Sequence, residues 1–108
     1  MLLDSNIIIY STKSKYSFLL EFITKNLPSV SAVSYVEALG YHKLTDDEKE
    51  LLEEFFASSR ILPISHKVVI KAVELRQLKK MTLGDALIAA TASVHHLTLV
   101  ANNTVDFA

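Results

Sequence analysis

The 108-residue sequence has no cysteine and no tryptophan, and only two glycines and two prolines. Without cysteine there are no disulfides, thiolate zinc sites, iron–sulfur clusters or cysteine nucleophiles, and a reducing cytoplasm is the expected location. So little glycine and proline excludes collagen-like repeats and low-complexity architecture. An excess of one charge is also lacking. Eleven Lys and Arg face twelve Asp and Glu, a formal net charge of −1, so neither a long basic tail nor a polybasic membrane patch is present. The most continuous apolar run, residues 86–90, is far short of the roughly 20 residues that span a bilayer. Met1-Leu2-Leu3-Asp4 has no basic region ahead of its apolar residues, so no signal peptide is expected. What remains is a chain that is half apolar and 21% charged. That composition can bury a core, and the length suits a single domain over residues 1–108.

Short apolar runs alternate with helical periodicity. Met1-Leu2-Leu3 reads as a strand stopped by Asp4-Ser5-Asn6, and residues 16–27 place apolar side chains at helical spacing up to Pro28. Residues 29–33 read as a second strand and Ser34 as the start of a helix through Glu37, Leu39 and Tyr41, with Gly40 a mild weakness in it. Thr45-Asp46-Asp47-Glu48 is a capping box opening a helix that is expected to bury Leu51, Leu52, Phe55 and Phe56. Residues 60–64 form the next strand candidate. Ser65 then caps a helix with Val68, Val69, Ala72, Val73 and Leu75 expected to face inward. A largely apolar helix over about residues 84–96 leads into a last strand at residues 97–101. This alternation argues for an α/β layer fold with a mainly parallel sheet; strand order is not legible from pattern.

Four acids fall in related places. Asp4 closes the first strand, Glu37 is expected in the first turn of the helix after the second, Asp85 opens the apolar helix, and Asp106 follows the last strand. In a parallel α/β sheet, strand C-termini and helix N-termini share one edge, where such folds build their sites. Each acid alone has a structural explanation. Ser34 to Glu37 and Thr82 to Asp85 both fit capping boxes, and acids in first turns complement the helix dipole. Four carboxylates together repel unless something positive sits among them, and no lysine adjoins any of them. A divalent cation answers that need, and all-oxygen ligands suit Mg²⁺ or Mn²⁺.

The segments carrying these acids resemble, in order, the four signature segments of PIN-domain nucleases, and most closely the VapC-like toxin ribonucleases of the VapBC type. They are Met1-Leu2-Leu3-Asp4-Ser5-Asn6, Ser34-Tyr35-Val36-Glu37, Leu83-Gly84-Asp85-Ala86-Leu87-Ile88-Ala89-Ala90, and Asn102-Asn103-Thr104-Val105-Asp106-Phe107. The resemblance implies a three-layer α/β/α sandwich around a mainly parallel sheet. It also implies Mg²⁺- or Mn²⁺-dependent hydrolysis of RNA phosphodiester bonds. Asp4, Glu37, Asp85 and Asp106 would then be the catalytic and metal-holding acids, with Glu37 or Asp106 accepting the proton of the attacking water. Ser5 and Asn6 would orient Asp4, and Asn103 would orient Asp106. A cognate antitoxin protein and a homodimer are the implied partners, the helix over residues 45–57 offering an apolar surface for the dimer.

Two departures from the family pattern stand out. Ala101-Asn102 replaces the usual Thr-Arg ahead of Asn103, and the family's strand after the Asp-Phe pair is expected to be missing. Both leave room for a degenerate, non-catalytic PIN-like module that binds RNA or protein. A phospho-acceptor receiver domain fits less well, since it needs paired acids after the first strand and a lysine late in the chain. Here a single Asp4 ends that strand and no lysine follows Lys80.

Other features have simpler readings. His95 and His96 stand about 100° apart on a helix and cannot share one metal; a last-turn imidazole complements the dipole. The acids from Asp46 to Glu54 read as a solvated helix face. Setting aside that helix, with its six acids and Lys49, and the four candidate site acids leaves Glu21 and Glu74 against ten Lys and Arg. The near-neutral total therefore conceals a segregated charge and does not exclude an RNA substrate.

Overall fold

The computed structural model describes residues 1–13, 21–23, 25, 26 and 28–100. The predicted helix over residues 16–27 and the end of the last strand lie largely outside them. Four strands, β1 (Leu2–Leu3), β2 (Ser29–Ser31), β3 (Arg60–Leu62) and β4 (Leu99–Val100), form one sheet in the order β3-β2-β1-β4. Every pairing is parallel. The described helices are α1 (Ser5–Ser11), α2 (Ala32–Leu39), α3 (Asp46–Ala57), α4 (His66–Leu78) and α5 (Leu83–Val94).

The three layers follow from the pleat of β1, where successive side chains point to opposite faces. Leu3 packs with Val30 of β2, Ile7 and Ile8 of α1, and Leu52, Phe55 and Phe56 of α3. Leu2 turns the other way, to Val33, Leu62, Ile88 and Ala92, and α5 lies over it. Outside that contact, Ala86 and Ala90 of α5 meet Val68 and Ala72 of α4. Small side chains allow α4 and α5 to approach closely, so α5 is the sandwiched helix that its apolar composition suggests.

Several local expectations are corrected. The second strand stops at Ser31, whose hydroxyl accepts from the Val33 N–H (3.0 Å) and caps α2. Ser34 is therefore inside the helix, not at its start, and Gly40 lies past its last residue as the C-cap. The third strand ends at Leu62, and Leu51 is 37% exposed while Leu52, Phe55 and Phe56 are buried. On α4, Val68 and Ala72 are buried, but Val69 and Val73 face solvent at 42% and 51% exposure. Apolar residues ring most of this helix, so periodicity alone did not select the buried side. Helix α5 ends at Val94; His95 is its C-cap and His96 adopts a left-handed φ of 55°. The N–H groups of His96 and Leu97 return to the carbonyls of Ser93 (3.2 Å) and Ala92 (2.9 Å), which closes the helix in a Schellman motif.

Other local readings hold. Ser65 and Thr82 cap α4 and α5, and Thr45 forms the full capping box with Glu48. Glu48 also takes the Lys13 ammonium at 2.6 Å, which holds its carboxyl below the usual range and ties α3 to the end of α1. The acidic face of α3 is thus not solvated throughout. Replacing Thr45 with alanine leaves the Glu48 N–H without its cap and is expected to cost about 1 kcal/mol, measurable by urea unfolding.

Candidate active site

The strand order places a topological switch at β1, which has β2 on one side and β4 on the other. Open parallel sheets bind ligands beyond the carboxyl ends of their strands at such points. Asp4 occupies that position. Its N–H donates to the Val100 carbonyl (3.0 Å), which locks it to β4, and it is the N-cap of α1. The residue is 4% exposed, and its Oδ2 is buried with no hydrogen-bond partner among the described residues.

Burial is the largest influence on the Asp4 carboxyl and pushes its pKa up. The Asp85 charge adds to the shift and the Glu37 charge adds less, while the backbone N–H groups of Ser5 and Asn6 oppose it. Asp85 sits at the third position of α5, where its N–H is held by the Thr82 hydroxyl at 3.1 Å. The charges of Asp85 and Glu37 thus both bear on Asp4. Asp106 and Asn103 lie outside the described residues.

Helix α2 supplies Glu37 from its second turn, one turn beyond the fully buried Ser34. Ser5 reaches across from α1. Its hydroxyl donates to Glu37 Oε1 at 2.6 Å and stands 3.1 Å from the Ser34 hydroxyl. Since the carboxylate can only accept, the Ser5 proton goes to Glu37, leaving the Ser34 hydroxyl to donate to Ser5. Ser5 thus orients Glu37 through its side chain, whereas orientation of Asp4 was expected. Asn6 is exposed. Ser34 was missed as a functional candidate, although its three-residue spacing from Glu37 puts both on one helical face.

Among the described residues, no group of three or more His, Asp or Glu is arranged to hold a metal ion. The donor chemistry nevertheless suits a hard divalent cation. The Asp4 Oδ2 is buried and unpartnered, and two further carboxylates raise the cost of its charge. A cation placed there would satisfy the orphaned oxygen and reverse the electrostatic penalty.

Fold and site together define a doubly wound α/β protein with the buried carboxylate of Asp4 at its switch point. The chain belongs to the PIN domain family, whose model matches residues 1–108. It is similar to a chain of the toxin–antitoxin complex from Klebsiella pneumoniae, with 30% identity and a TM-score of 0.75 over 99% of this chain and 89% of that one. It is also similar to a chain of VapBC2 from Rickettsia felis, solved bound to a promoter DNA fragment, with 26% identity and a TM-score of 0.75 over 94% and 86% of the two chains. FitAcB from Neisseria gonorrhoeae shares the fold at 24% identity, with a TM-score of 0.76 over 98% and 89%. No curated protein matches the chain in sequence. The resemblance to VapC-like PIN nucleases thus holds, and the three-layer α/β/α class with it.

Proposed function

We propose that the protein is an endoribonuclease dependent on Mg²⁺ or Mn²⁺, and the toxin of a type II toxin–antitoxin pair. The observation that carries the chemistry is the buried, unpartnered Oδ2 of Asp4 beside Asp85 and Glu37. Asp4 and Asp85 would hold the cation, with Glu37 and Asp106 contributing directly or through water. When bound, the cation supplies positive charge against the phosphate and lowers the pKa of water.

The chain's own residues supply the rest. Ser5 occupies Glu37 Oε1, which leaves Oε2 to accept a proton from the water that attacks phosphorus. A new oxygen–phosphorus bond forms, the bond to the leaving oxygen breaks, and that oxygen takes a proton from solvent. Asp106 is the other carboxylate suited to the proton, Asn103 its orienting neighbour, and Asn6 a donor at the rim beside Asp4. Residues 1–108 act as one domain in this reading.

The complexes from Klebsiella pneumoniae and Rickettsia felis support a cognate antitoxin as partner. A homodimer belongs to the same reading, but not through the aromatic pair of α3. Phe55 and Phe56 are 4% and 3% exposed and belong to the core. The outward Val69, Ile70 and Val73 of α4 offer a second copy the apolar surface instead. Among the described residues no helix is long and apolar enough to cross a membrane. Action in the cytoplasm, without membrane attachment, belongs to the same proposal.

Incubating the purified protein with end-labelled RNA tests the reading. Cleavage is expected with Mg²⁺ or Mn²⁺ and none in excess EDTA. RNA binding without cleavage under any of these conditions would favour the non-catalytic module.

A further inference from the structure

Gly84 has no conformational reason to be glycine. It lies in the first turn of α5 with no positive φ, a place where alanine forms helix more readily. What a side chain there would meet is Glu37. A Cβ on Gly84 would stand 2.6 Å from Glu37 Oε2, 3.3 Å from its Cδ and 3.5 Å from Oε1, the nearest atoms outside its two chain neighbours and the backbone of its own helix. No real Cβ tolerates the first of these distances, so the carboxylate would have to leave. It is the far end of a flexible, solvent-facing side chain, so leaving is cheap for the fold.

We infer that Gly84 is a positioning residue: its missing side chain makes the slot that seats the Glu37 carboxylate between Ser5 and the first turn of α5, next to Asp85. The inference rests on the nuclease reading for its functional meaning. The two oxygens of Glu37 are located by different elements. Oε1 is held by the Ser5 hydroxyl of α1, itself backed by Ser34 of α2, and Oε2 lies against the bare Cα of Gly84 in α5. Three helices thereby fix one carboxylate. Filling the slot displaces the carboxylate while the backbone of α5 stays in place, so the adjacent N–H of Asp85 keeps its bond to Thr82.

The test compares wild type, Gly84→Ala, Glu37→Gln and the double variant. Gly84→Ala is expected to keep or raise the melting temperature while lowering kcat for RNA by roughly 10–100-fold, with KM changed less than about twofold. Because it acts through Glu37, adding it to Glu37→Gln should lower kcat no further. Wild-type kcat in Gly84→Ala, or losses that multiply in the double variant, would overturn the assignment. Crystal structures of wild type and Gly84→Ala decide the positioning claim separately. Departure of the Glu37 carboxylate from the Ser5 hydroxyl supports it, and a carboxylate left in place refutes it. If wild type cuts no RNA, the nuclease reading fails while this structural comparison still gives its answer.

Discussion

Replacing Asp4 with asparagine is expected to lower RNA cleavage by about 10³-fold or more, and to make the metal-free protein more stable at neutral pH. The first effect follows from removing the charge at the centre of the site, since preorganised electrostatics carries the largest share of such catalysis. The second follows from the same burial. The folded-state pKa of Asp4 lies above its ordinary value of 3.8, so the folded protein binds that proton more tightly than the unfolded chain does. Stability contributed by the protonated form is therefore lost as pH climbs from about 3.8 through the raised folded value. Above that window, metal-free wild type carries the full burden of a buried charge facing Asp85 and Glu37. The asparagine amide carries none. Thermal unfolding in EDTA from about pH 3, below the ordinary value of 3.8, to about pH 8 should show the variant overtaking wild type as pH rises. Adding Mn²⁺ should raise the melting temperature of wild type only, by linkage to binding. A variant less stable than wild type at pH 7 in EDTA would contradict the assigned cause of the shift.

Phe56→Ala is expected to be the most destabilising single truncation near the site, at about 3–5 kcal/mol. Phe56 is 3% exposed and makes edge-on contacts with Phe55 (ring centroids 5.2 Å apart) and with Tyr35 of α2 (4.9 Å). Its loss opens a cavity between α3 and the helix that carries Ser34 and Glu37. For a domain of this size the melting temperature should fall by roughly 15 °C or more. The oligomeric state of the protein that remains folded should not change, because the ring is core and not contact surface. Calorimetry and light scattering at a temperature below the variant's transition check both halves. A small change in melting temperature with a large change in assembly would restore the surface role first expected for α3.

What could be read from the chain and what could not divide along contact distance. The caps Thr45, Ser65 and Thr82 were legible because each acts within three residues. Asp4 and Asp85 were placed at one edge by fold class alone, since a parallel sheet leaves no other place for a strand end and a helix start. The β-branched Val33 favours strand locally, yet it lies inside α2 and packs with Leu2, Leu62 and Ile88, so the cap falls at Ser31 and not at Ser34. The valines of α4 sit in a helix apolar on nearly every side, so no period singles out the inner face. The Ser5–Glu37 bond spans 32 residues and the slot at Gly84 depends on a side chain 47 positions away. Neither leaves a local trace.

The central claim, that an acid cluster around Asp4 cuts RNA with the help of a divalent cation, is tested most directly by single-turnover cleavage of end-labelled RNA across a Mn²⁺ titration. Wild type and Asp4→Asn would be followed side by side once both are shown to be folded. A saturable, Mn²⁺-dependent rate in wild type that EDTA abolishes and that Asp4→Asn loses by about 10³-fold is the predicted result. A wild-type rate indifferent to the cation, or an Asp4→Asn rate equal to wild type at every concentration, would contradict it.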